Sequence, residues 1–128
     1  MNLSDFFAHS QGFGILSTAD AQGRVDSAIY ARPHTMEDGS LAMIMRERLT
    51  HKNLLENPYA AYLFIEDVPS YRGIRLFLKK IREDQDQELI SQMTRGWLTK
   101  DEDQAKGQKY IVYFQVIKIL NLVGGEEF

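Results

Sequence analysis

Cysteine is absent from the 128 residues of this chain, which removes disulfide staples, thiolate metal ligation and a cysteine nucleophile. Proline occurs only 3 times, and no stretch approaches the ~20 consecutive apolar residues that span a bilayer, so no membrane association is expected. The amino terminus, Met1-Asn2-Leu3-Ser4-Asp5-Phe6-Phe7, has neither the basic segment nor the apolar run of an export signal, and the expected compartment is the cytoplasm. Neither charge sign is in large excess: 15 Lys and Arg against 18 Asp and Glu leave a net −3. That balance argues against general nucleic-acid binding, which works by broad phosphate neutralisation. Histidine is scarce too, and His9, His34 and His51 are too scattered for a metal-ligand spacing.

What remains is the composition of one ordinary globular domain over residues 1–128, with 44% hydrophobic and 11% aromatic residues available for a core. Apolar alternation places strands at residues 13–19 and 24–33, joined by the turn Asp20-Ala21-Gln22-Gly23. In the second strand Val25, Ser27, Ile29 and Ala31 share one face, and Asp26, Ala28 and Tyr30 the other. Glu37-Asp38-Gly39 turns the chain into residues 40–46, where Leu41, Ala42, Met43, Ile44 and Met45 form a continuous apolar run that implies cover on both faces. Residues 60–66 and 72–82 read as further strands, the latter alternating Ile74, Leu76 and Leu78 with Arg75, Phe77 and Lys79.

A helix is expected from about residue 85 to 97, with Leu89, Ile90, Met93 and Trp97 at helical spacing and Asp84 with Gln87 placed as a cap pair. A polar connection over residues 98–109 leads to a last strand at 110–123. Together these elements predict a mostly β chain: a six-stranded antiparallel barrel with two or more short helices.

The junction Met45-Arg46-Glu47-Arg48-Leu49-Thr50-His51-Lys52-Asn53 carries the chemistry. Here an apolar strand runs into a basic cluster and then a short helix that begins near His51 with Thr50 as its cap. Pro58 ends that helix near Asn57. The first turn of a helix leaves backbone N–H groups unpaired and carries roughly half a positive charge, so it attracts anions. Arg46, Arg48, His51 and Lys52 around such a turn suit a phosphate; solvated charges flanking an ordinary helix are the other reading.

The order of these segments resembles a known family. Gly14-Ile15-Leu16-Ser17-Thr18-Ala19, Gly23-Arg24-Val25-Asp26-Ser27-Ala28-Ile29-Tyr30-Ala31, the strand ending at Arg46, and Thr50-His51-Lys52-Asn53-Leu54-Leu55-Glu56-Asn57-Pro58 look like the FMN-binding split barrel of the pyridoxamine 5′-phosphate oxidase-like superfamily. The resemblance implies that the backbone of Ala28, Ile29, Tyr30 and Ala31 lies along a flavin ring. It also implies that Met45, Arg46, Arg48, Leu49, Thr50 and Lys52 hold the ribityl chain and phosphate. A homodimer with the flavin between subunits is implied as well. The second subunit would contribute from Tyr71, Arg72 or Arg75, with Trp97 and Tyr113 as stacking candidates.

The functions so implied are an FMN-dependent oxidoreductase acting on a small molecule, or a non-catalytic flavin-binding electron carrier or store. The deazaflavin F420 and haem are the weaker cofactor alternatives. The arginine- and histidine-bearing carboxy-terminal segment of true pyridoxamine phosphate oxidases is not found, so that particular activity is not expected. No catalytic residue is singled out, because in flavin chemistry the cofactor carries the reaction.

Overall fold

In the computed structural model of the chain, residues 1–94 and 108–125 are described. Helix α1 (Leu3–His9) opens the chain, capped by the Asn2 side chain, which accepts from the Asp5 N–H at 3.1 Å. Strands β1 (Gly12–Ala19) and β2 (Val25–Tyr30) form a hairpin, followed by β3 (His34–Thr35) and β4 (Leu41–Arg46). Helix α2 (Leu49–Glu56), β5 (Tyr59–Glu66), β6 (Gly73–Asp84), α3 (Gln87–Met93) and β7 (Lys109–Asn121) complete the order.

The strands make one antiparallel sheet in the order β2-β1-β5-β6-β7-β4-β3. There are seven strands where the alternation predicted six; the addition is β3, whose two residues are too short to show a period. Both expected hairpin turns are present, with Gly23 at φ 82° and Gly39 at φ 88°, conformations open to residues lacking a Cβ. In the first, the Asp20 carboxylate accepts from the Gln22 and Arg24 N–H groups and pairs with the Arg24 guanidinium at 2.7 Å.

The sheet curls so that its inner face closes on a core built from Leu16, Met43, Met45, Tyr62, Phe64, Ile74, Leu76, Leu78, Val112 and Phe114. Phe7 of α1 packs edge-on against Phe64 at 5.5 Å and Tyr62 at 6.5 Å. Leu54 of α2 joins the same core. The apolar run in β4 is covered on both faces as expected: Met43 and Met45 point into the barrel, while Ala42 and Ile44 pack outside with Ile90 and Met93 of α3.

Helix α3 is shorter than expected. Its cap is Asp86, which accepts from the Glu88 and Leu89 N–H groups at 3.1 Å, in place of the expected Asp84–Gln87 pair; Asp84 instead accepts from the Asp86 N–H. Trp97 and most of the polar connection after it lie outside the described residues.

Candidate functional site

Helix α2 is the part that the sequence reading placed least well. It begins at Leu49 with Arg48 at the cap position, and no side chain bonds its free N–H groups. Thr50 is therefore the second helical residue and not the cap. It is 4% exposed and lies beside the Tyr30 hydroxyl. His51, also 4% exposed, faces the barrel and is not among the cations around the first turn.

The reason is the polarity of the buried face of α2. Thr50, His51 and Asn53 each meet a polar partner on a strand, while Leu54 enters the core. The Asn53 amide donates to Thr18 Oγ1 at 3.1 Å, tying the helix to β1, and Thr50 lies against Tyr30 of β2. Arg48, Leu49 and Lys52 are left on the solvent side, Leu49 being 54% exposed.

Around the start of α2 the N–H groups of Leu49, Thr50 and His51 have no intrahelical acceptor; the first intrahelical bond runs from the Lys52 N–H to the Arg48 carbonyl at 3.0 Å. The first turn of α2 contains no acid, whereas α1 and α3 each have one there. A cavity of about 320 Å³ between α2 and the β1–β2 hairpin is bordered by Arg24 and Lys52 and also by Asp20, Asp26 and Glu56. Burial pushes the Tyr30 hydroxyl above its ordinary value, while the hydrogen bond from Thr50 and the charge of Arg48 pull the other way. That coupling places Arg48, Thr50 and Tyr30 in one neighbourhood.

Strand β2 lies at the sheet edge, and no further strand pairs with it among the described residues. The Asp20 N–H donates to the Arg24 carbonyl at 2.9 Å, which sets the phase of the hairpin ladder. Thr18–Asp26, Leu16–Ala28 and Gly14–Tyr30 turn their backbone polar groups toward one another, and Val25, Ser27 and Ile29 turn theirs to the open edge. Val25 and Ile29 are 82% and 75% exposed.

At the end of β2 the Tyr62 hydroxyl donates to the Tyr30 and Ala31 carbonyls, both at 3.1 Å. Gly14 makes room for it, since a Cβ there would lie 1.9 Å from the Tyr62 oxygen. Tyr30 and Ala31 also line a second cavity of about 160 Å³ with Arg32, His34, Met43 and Ile44, which brings the end of β2 next to β4.

Of the residues implied by the resemblance, Ala28, Ile29, Tyr30 and Ala31 form the outer edge and its continuation, and Arg48, Leu49, Thr50 and Lys52 surround the α2 turn. Arg46 is half-buried at the end of β4, opposite Lys109. Met45 is 2% exposed in the core. Tyr113 is 3% exposed under the Arg82 guanidinium, 3.6 Å from its ring centroid, so its ring is enclosed by its own chain. Tyr71 is 86% exposed; Arg72 pairs with Glu66 at 3.7 Å, and Arg75 donates to the Asn121 carbonyl at 2.9 Å. The edge phase of β2 and the polar underside of α2 were missed by sequence reasoning. Only the cluster of polar residues at 50, 51 and 53 hinted at the latter.

Among the described residues no three His, Asp or Glu side chains gather as metal ligands, and no helix is long and apolar enough to cross a membrane. No known family pattern and no curated protein sequence matches this chain. Solved structures do. An FMN-binding protein from Syntrophomonas wolfei subsp. wolfei superposes with a TM-score of 0.72 at 18% identity, over 92% of this chain and 82% of the other. HutZ, a haem storage protein from Vibrio cholerae, gives 0.67 at 17% identity over 94% and 95%. A pyridoxamine 5′-phosphate oxidase-like protein from Listeria innocua gives 0.67 at 12% identity over 94% of both chains. At such identities the likeness is one of architecture: this chain shares the split-barrel fold of these structures.

Proposed function

We propose that this protein binds FMN as an oxidoreductase cofactor. In this reading the phosphate sits at the first turn of α2 and the ring lies along the open edge of β2. The observation that carries it is the helix start without a side-chain cap or acid, set between exposed Arg48 and Lys52 and beside an unpaired strand edge. A doubly charged phosphate supplies the acceptors that this turn lacks. The backbone N–H and C=O groups of the β2 edge match the donors and acceptors along the polar rim of a flavin, and small Ala28 and Ala31 allow close approach.

When bound, FMN supplies hydride and one-electron transfer. The chain's part is to hold it. Arg48 and Lys52 neutralise the phosphate, the edge groups of β2 orient the ring, and Val25, Ile29 and Leu49 exclude water from one side. A second copy of the chain, related by a two-fold axis, covers the other side in the same reading.

FMN is preferred here over haem, although a haem storage protein shares the fold. An uncapped helix start flanked by Arg48 and Lys52 beside an edge strand supports a phosphorylated planar ring as the ligand. Isothermal titration with FMN, FAD and riboflavin tests the assignment, with FMN expected to bind tightest. Equal affinity for riboflavin and FMN would remove the phosphate site. The absorption spectrum of the purified protein separates flavin, F420 and haem, and anaerobic reduction by NADH or NADPH separates an enzyme from a passive flavin carrier.

A further inference from the structure

Beneath α2 lies a polar cluster with no part in the cofactor contacts described above. The Nε2 of His51 is 3.1 and 3.2 Å from the two carboxylate oxygens of Glu83. The Lys80 ammonium donates to the same carboxylate at 2.5 Å. The Tyr110 ring stacks on the imidazole, with centroids 4.0 Å apart and planes 15° from parallel. Glu47, in the turn before α2, is the further charge acting on Tyr110.

A β-bulge creates this arrangement. Residues three apart on a regular strand face opposite ways, so Lys80 and Glu83 could not both point inward. The ladder between β6 and β7 shifts register between Lys80 and Arg82, which makes Ile81 an extra residue. Lys80 continues the inward row of Ile74, Leu76 and Leu78; beyond the bulge Arg82 turns outward over Tyr113, and Glu83 turns inward to meet α2.

An ionic cluster is a costly way to fasten a helix, because desolvation offsets much of the attraction. Its location gives it another role. His51 is the third residue of α2, within the turn whose N–H groups lack acceptors. The Asn53 tie holds α2 to β1 on one side of the barrel, and His51 is its tie to β6 on the other.

We propose that Glu83 is a positioning residue for the cofactor phosphate: by clamping His51 it fixes the rotation of α2 and so aims the free N–H groups, Arg48 and Lys52 at the anion. The inference rests on the phosphate reading given under the proposed function. Glu83 touches no ligand and acts through the helix.

The test compares FMN and riboflavin affinities, by titration calorimetry at one pH, in the parent, Glu83→Gln, Glu83→Asp and Leu76→Val. Both Glu83 variants are expected to lose about tenfold of the FMN-over-riboflavin preference, equivalent to ~1.4 kcal/mol, with riboflavin affinity unchanged. Leu76→Val, a core truncation, lowers the melting temperature and leaves the preference intact; the same pattern in both Glu83 variants overturns the positioning role. A parent without preference for FMN overturns the phosphate reading, and this inference with it. Should the Glu83 variants fail to fold, nitrogen NMR of the parent decides: the His51 imidazole resonance is expected to move on titration with FMN and not with riboflavin. A resonance unmoved by saturating FMN overturns the proposal.

Discussion

Arg48 and Lys52 stand on the solvent side of the first turn of α2, and Thr50 and His51 on the barrel side. That division separates two classes of variant. Arg48→Ala or Lys52→Ala is expected to weaken FMN by roughly 10- to 150-fold, the value of one charge-assisted hydrogen bond of about 1.5–3 kcal/mol, and to leave riboflavin binding unchanged in calorimetry. Thr50→Ala acts differently because its hydroxyl serves Tyr30: apo-protein melting should show a loss of about 1 kcal/mol, with the backbone N–H still offered to the anion. A cap role for Thr50 was the natural reading of Arg-Leu-Thr-His before a helical stretch, and it failed because the helix starts one residue earlier than that side chain. Gly14 and Tyr62 form a second pair to probe. Tyr62→Phe removes the hydroxyl shared by the Tyr30 and Ala31 carbonyls and is expected to cost about 0.5–1.5 kcal/mol. Gly14→Ala should cost more, since it drives a methyl into the phenol and loses the same bonds. Urea midpoints rank the two, and a neutral Gly14→Ala would show that Tyr62 is not held where described.

Among the elements, the bulge of β6 has a consequence in acid. Burial acts to raise the Glu83 carboxyl, but hydrogen bonds from Lys80 and His51 outweigh it and hold the group below the ordinary glutamate value of 4.5. The folded state therefore binds this proton less readily than the unfolded chain. Its contribution to stability is complete above the ordinary value and is lost as pH falls through the lowered one. Thermal melts of the apo-protein should show an acid limb that Glu83→Gln flattens in part, while Asp20 and Asp38, whose carboxyls are lowered by bonds from Arg24 and Ser40, keep the rest. Identical limbs in parent and variant would remove the clamp as an acid-sensitive contact. Most strands were legible because their periods are unbroken: Ile74, Leu76 and Leu78 alternate cleanly, and the run from Leu41 to Met45 announced cover on two faces. The bulge was not, since nothing in Lys79-Lys80-Ile81-Arg82 marks an inserted residue; it exists only relative to β7. Helix α1 did carry a local signal, Asn2 followed by Leu3, Phe6 and Phe7 at helical spacing, but seven residues lie below the length at which that pattern stands out.

For the whole molecule, the outward face of β2, β1, β5 and β6 decides what one chain can do alone. Ile29, Ile15, Leu63 and Arg75 lie in register across it, and Ser27, Ser17, Ala61 and Phe77 form the next row. Phe13, Ile29 and Phe77 are 51%, 75% and 37% exposed on this face, which makes it apolar for a surface in water. A ring laid on the β2 edge has one side against this chain and one against solvent, whereas small-molecule sites bury roughly 70–90% of their ligand. In the proposed reading a two-fold partner on this face would supply the missing wall, with a buried area expected near 1,200–2,000 Å². Leu63→Asp puts a charge at the centre of that face without touching the inner core. The expected result is a dimeric parent and a folded monomeric variant in sedimentation velocity, the variant binding FMN at least tenfold more weakly, about 1.4 kcal/mol. If Leu63→Asp stays dimeric, the interface lies on another face. A monomeric parent that holds FMN tightly would mean that one barrel encloses the ring by itself, and the exposed row from Ile29 to Phe77 would then need a different explanation.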